Sequence, residues 1–136
     1  MELDDELYAQ ITKHSDIGEH YFEDGKFRKA LEEYKKAFEL LPEPKTDWEA
    51  SVWTLAAIGD SHYMLREFVS ALKCFETLMT EYQEDNNSFV RVRYGECLFE
   101  TGNVESAKEH LVAAYNMEGE EIFDNDKYLN LISDLI

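Results

Sequence analysis

The residues with reactive potential in this 136-residue chain are four histidines, two cysteines and a surplus of carboxylates. His14, His20, His62 and His110 form no His-x-x-x-His pair and fit no zinc spacing. His14 and His62 fall at core-type positions of the pattern described below, which predicts partly buried structural imidazoles. Cys74 and Cys97 stand alone inside predicted helices and read as small buried hydrophobes. Asp124-Asn-Asp126 opens like a calcium loop, but Leu129 and Leu135 stand where that loop needs Gly and Glu. The sequence contains no Gly-rich phosphate loop and no nucleophile motif. The expectation is a binding protein that is not an enzyme, with no catalytic residue, no cofactor and no metal.

Thirty acidic residues against thirteen basic ones give a formal net charge of −17. Phosphate binding needs clustered Lys and Arg, so nucleic acid is not an expected partner, and an anionic membrane is disfavoured for the same reason. A basic protein would be steered toward such a surface. Hydrophobic residues at 44% and aromatics at 13% exclude disorder by composition. The opening Met1-Glu-Leu-Asp-Asp-Glu is acidic and lacks the apolar core of a signal peptide. No run approaches the ~18 apolar residues of a membrane span. Together these features predict a cytoplasmic protein.

The elements that must position any site follow from internal repetition. From Gly18, the chain places Tyr21 at plus three, Gly25 at plus seven and Phe27 at plus nine. Ala30, Tyr34, Ala37 and Pro42 follow at plus twelve, sixteen, nineteen and twenty-four. Starting from Gly59, the first six offsets give His62, Arg66, Phe68, Ala71, Phe75 and Leu78. Starting from Gly95 they give Leu98, Gly102, Val104, Ala107, Leu111 and Ala114. A Gly on one helix and an Ala on the next let two antiparallel helices approach closely, with bulky residues filling the seam. Gly25 and Gly102 suit a tight turn that needs positive φ, and Arg66 in their place predicts a different second turn.

These offsets resemble the tetratricopeptide repeat, a helix–turn–helix unit of 34 residues. The resemblance spans about residues 11–118. His14, Leu55 and Arg91 replace its usual early Trp, and its terminal Pro survives only as Pro42. It implies an all-α fold, a right-handed superhelical stack of three helix pairs plus a C-terminal capping helix. A single domain over residues 1–136 is expected, with repeats at about 11–44, 52–85 and 88–121 and the capping helix at about 124–136. Helices are expected from about Leu3 to Asp24, Phe27 to Leu41, a capping box at Thr46-Asp-Trp-Glu49 to Leu65, and Glu67 to Gln83. A fifth follows a cap at Asn86, Asn87 or Ser88, and a sixth runs from Asn103 to about Met117. Tyr128, Leu129, Ile132, Leu135 and Ile136 give the last segment an apolar face that closes the stack.

The first helix of each pair lines the concave side of such a stack. Spacing from the core glycines places Asp16, Glu19, Phe22 and Glu23 there in the first repeat, and Trp53, Asp60, Tyr63 and Met64 in the second. Phe89, Arg93, Glu96, Phe99 and Glu100 take those places in the third. Aromatic anchors beside carboxylates suit a protein partner bearing Lys or Arg. Some aromatics are expected to pack between neighbouring helices instead.

Some proteins of this family grip a chaperone's C-terminal carboxylate with a basic clamp. The corresponding residues here are Ser15, Glu19, Ala57, Phe89 and Arg93, of which only Arg93 matches, so that partner is not expected. The stretch Gly119-Glu-Glu-Ile-Phe123 with Lys127-Tyr-Leu129 resembles the end of small bacterial members, some of them immunity partners of secreted toxins. The expected function is a protein-interaction module, as an immunity-type inhibitor of a basic toxin or enzyme. The alternative is a chaperone or adaptor holding a peptide segment of a secretion or assembly partner.

Overall fold

The structure, a computed structural model, describes residues 2–136. The described residues are helical and contain no strand. The helices are α1 (Asp5–Glu23), α2 (Phe27–Glu39), α3 (Glu49–Met64), α4 (Phe68–Thr80), α5 (Ser88–Glu100), α6 (Val104–Glu118) and α7 (Asp126–Leu131). They fall into two compact units, the first reaching to Glu67 and the second running from Phe68 to Ile136.

In the first unit α1 packs on α2 and α2 on α3. Gly18 faces Tyr34, and a Cβ built there would lie 2.8 Å from the ring. In the second unit α5 packs between α4 and α6. Gly95 faces Leu111 in the same way, at 2.9 Å from the side chain and 3.2 Å from the Leu111 backbone nitrogen. The plus-sixteen partner is therefore the same in both units. The plus-twelve alanines Ala30, Ala71 and Ala107 are all fully buried.

Three helix ends share one turn. Gly25, Arg66 and Gly102 have φ of 76°, 62° and 91°. In each, the residue itself donates to a carbonyl three back, at 3.0, 2.9 and 3.0 Å. The next residue donates five back, at 2.8, 2.9 and 2.8 Å, which completes a Schellman motif. The expectation of a different turn at Arg66 is corrected: two backbone hydrogen bonds outweigh the roughly 1–2 kcal/mol that a side chain loses in the left-handed region.

The capping box at Thr46 is also corrected. Lys45–Asp47 is a 3-10 turn, and α3 begins after Trp48 with no side-chain cap. Lys45 Nζ instead donates to the Phe38 and Leu41 carbonyls at the end of α2, at 3.1 and 2.6 Å. Trp48 Nε1 donates to Pro42 O at 2.8 Å. Those bonds fix the segment before Thr46 could cap anything. Asn87 does cap α5, its side chain accepting from Val90 N at 3.1 Å. The expected closing helix is shorter than 124–136. It ends at Leu131, with Tyr128 and Ile132 buried but Leu135 and Ile136 exposed.

Candidate functional site

In the first unit a pocket of about 540 Å³ opens beside α1 and α3. Five residues expected on the binding face line it: Asp16, Glu19, Phe22, Glu23 and Trp53. Tyr8, Thr12, Ser15, Tyr34 and Ala57 complete the wall. Residues 8, 12, 15, 19 and 22 recur every three or four positions, so α1 presents them on one face. Tyr34 is only 8% exposed, its ring pressed on Gly18. Its hydroxyl makes no hydrogen bond among the described residues, and burial, then Glu19, Asp60 and Glu23, push the phenol up to about 12. It is therefore a permanent donor. Thr12 Oγ1 and Ser15 Oγ are buried and lack a partner among the described residues. Of the other residues expected here, Met64 is 41% exposed, while Asp60 and Tyr63 are half-buried; none of the three lines the pocket.

A second pocket, of about 450 Å³, is lined by Trp48, Glu49, Leu3 and the acidic Glu2 and Asp5. Tyr8 and Trp53 line both pockets, so the two adjoin across these rings. Sequence reasoning missed Tyr8, Thr12, Tyr34 and Trp48 as site residues. The three-to-four-residue spacing along α1 carries the signal for the first two.

The second unit treats its expected site residues differently. Glu96 is fully buried and Arg93 is 6% exposed. Arg93 Nη1 donates to Glu96 Oε1 at 2.9 Å and Nη2 to Asp124 Oδ2 at 3.3 Å. Its guanidinium lies 5.2 Å from the Phe89 ring centroid, and Phe89 meets Phe75 edge-on at 6.1 Å. Glu100 accepts from Lys127 Nζ at 2.6 Å and from the Tyr128 hydroxyl at 2.9 Å. Phe99 packs edge-on against Tyr128 at 6.0 Å. All five are tied into the unit's own packing, three of them through the segment around α7. Gly119–Phe123 serves the same unit, with Phe123 buried beside Leu111, Tyr128 and Ile132.

Three of the four histidines pair with polar side chains of their own unit. His14 Nδ1 lies 2.9 Å from Glu33 and His62 Nδ1 2.9 Å from Glu67. Arg28 grips the same Glu67 through both guanidinium nitrogens, at 3.2 and 2.6 Å. Arg28, then His62, holds the Glu67 carboxyl down at about 2. His110 accepts from Arg91 Nε at 3.1 Å, and burial, then Arg91, lowers its pKa. Both groups are depressed in the folded state, so each contributes stability at high pH that is lost on acidification. An acid titration followed by circular dichroism should show stability falling first below pH 6.5, where unfolded His110 protonates, and again below pH 4.5 for Glu67. His110→Gln should remove the first stage alone. A first stage unchanged in that variant would assign it to another group.

The tetratricopeptide repeat profile matches residues 9–84. The chain belongs to the tetratricopeptide repeat family. Such repeats are protein-interaction scaffolds, so binding another protein is the function class of the fold. No curated protein matches the chain. Among solved structures the chain is similar to the first TPR of Spaghetti (RPAP3) bound to the HSP90 peptide SRMEEVD. The TM-score is 0.72, at 16% identity, over 93% of this chain and 90% of that one. This finding overturns the exclusion of a chaperone tail. Side-chain identities at Ser15, Glu19, Ala57, Phe89 and Arg93 do not decide what a tetratricopeptide scaffold can hold, because backbone and apolar contacts also seat an extended peptide. No helix among the described residues is long and apolar enough to cross a membrane.

Proposed function

We propose that this tetratricopeptide protein holds an extended peptide segment of a partner protein in the groove of its first unit. The observation that carries the reading is the chemistry of the 540 Å³ pocket. Aromatic walls from Tyr8, Phe22 and Trp53 enclose three hydroxyls, of Thr12, Ser15 and Tyr34, that the protein leaves without partners. The Tyr34 hydroxyl, which lines the pocket and stays protonated, is placed to donate to a peptide carbonyl. The peptide held by the similar Spaghetti domain supports a segment over a folded partner. The immunity-type reading draws on the net charge of −17 and the closing stretch of a small bacterial member, and it has less support.

The test is fluorescence anisotropy with a panel of labelled heptapeptides of varied charge, SRMEEVD among them. Trp53 is 39% exposed, so Trp53→Ala should weaken the bound peptide about tenfold or more while leaving the chain folded. Tyr34→Phe keeps the ring on Gly18 and should weaken binding about fivefold. Peptide affinity untouched by both changes would remove the groove from the function.

A further inference from the structure

Five rings elsewhere in the chain meet the chain's own cations. Lys29 sits over Tyr21, Lys45 over Phe38, Arg93 over Phe89, and Lys127 over Phe99 and Tyr128. The 450 Å³ pocket gathers rings that have no such cation. Tyr8, Trp48 and Trp53 bring three aromatic side chains to it, and Glu2, Asp5 and Glu49 bring three carboxylates. Among the described residues no Lys or Arg lies over these rings or pairs with these acids. Tyr8 is 51% and Trp53 39% exposed, so both present apolar surface to a ligand. Trp48 is oriented by its bond to the Pro42 carbonyl, so one wall is preorganised.

We propose that Tyr8, Trp48 and Trp53, with Glu2, Asp5 and Glu49, form a cage for the alkylammonium group of a methylated lysine. Aromatic rings carry a negative face that attracts a cation, and the flanking carboxylates add charge complementarity. Methylation suits the cage, because it adds apolar surface to the cation and lowers its need for water. The lysine source rests on the peptide-segment reading; the cation chemistry does not.

The chain's two tryptophans both line this pocket, so intrinsic fluorescence reports on it directly. Tetramethylammonium chloride, titrated against sodium chloride at matched ionic strength, should change the emission saturably, and sodium should not. The neutral isostere 3,3-dimethyl-1-butanol should bind at least tenfold more weakly than choline. Tyr8→Ala keeps both tryptophans and should weaken tetramethylammonium about tenfold. Asp5→Asn with Glu49→Gln should also weaken it, which keeps the test independent of any effect of Tyr8→Ala on folding. Equal responses to choline and its neutral isostere would overturn the cage. A peptide carrying dimethyllysine should outbind the same peptide carrying norleucine in that place. Tetramethylammonium binding without that preference would reject the lysine source while leaving the cation site intact, and the segment reading stands or falls on the heptapeptide panel.

Discussion

Arg93→Ala should lower the unfolding free energy by about 3–5 kcal/mol in urea denaturation followed by circular dichroism. The reason is what the substitution leaves behind. Glu96 is fully buried, and the Arg93 guanidinium beside it is 6% exposed and also reaches Asp124. Without Arg93 a buried carboxylate loses its counter-charge in surroundings that cannot solvate it. A residue serving only an open binding face would behave otherwise, losing partner affinity at constant stability. The paired replacement Arg93→Met with Glu96→Leu should restore most of the loss, because removing both charges removes the uncompensated one. A loss under about 1 kcal/mol for Arg93→Ala would mean that water reaches the pair.

Leu111→Ala should be unfavourable by about 2–5 kcal/mol, since the side chain is fully buried and its removal opens a cavity against α5. Gly95→Ala should lose less, about 1 kcal/mol, as crowding against Leu111 is partly offset by the better helix propensity of Ala. The informative variant is the double one. The new methyl at residue 95 points into the space that Leu111→Ala vacates, so the pair should be more stable than the sum of the single changes by about 1 kcal/mol. Strict additivity would show that Gly95 and Leu111 do not share one contact. The same cycle at Gly18 and Tyr34 would then measure the repeat in the other unit.

The repeats were legible because their contacts recur at fixed offsets. A Gly at the start meets the bulky residue at plus sixteen wherever the contact is described, as Gly18 with Tyr34 and Gly95 with Leu111 show. The site was half legible. Five expected residues line the first unit's pocket because helical spacing alone puts them on one face of α1 or α3. Tyr34 was hidden because it satisfies a core offset; its ring is core, while its hydroxyl belongs to the groove. Tyr8 lies before the repeat pattern starts. Arg93 and Glu96 sit where spacing put them on α5, but spacing says nothing about what covers a face. Asp124, Lys127 and Tyr128, two dozen or more residues downstream of α5, cover this one. The Thr46 capping box failed because Lys45 and Trp48 had stronger bonds to make with the end of α2.

The open corners at Gly25 and Gly102 have a consequence for chirality. Nothing lies within 4 Å of a Cβ at either residue, so space does not bar a side chain there; handedness does. An amino acid of mirror-image configuration prefers that same backbone region. In a chain assembled by chemical ligation, D-alanine at residue 25 or 102 would hold that region without backbone strain. It would also narrow the freedom of the unfolded chain, making each bend firmer than glycine makes it, by about 0.4–1 kcal/mol.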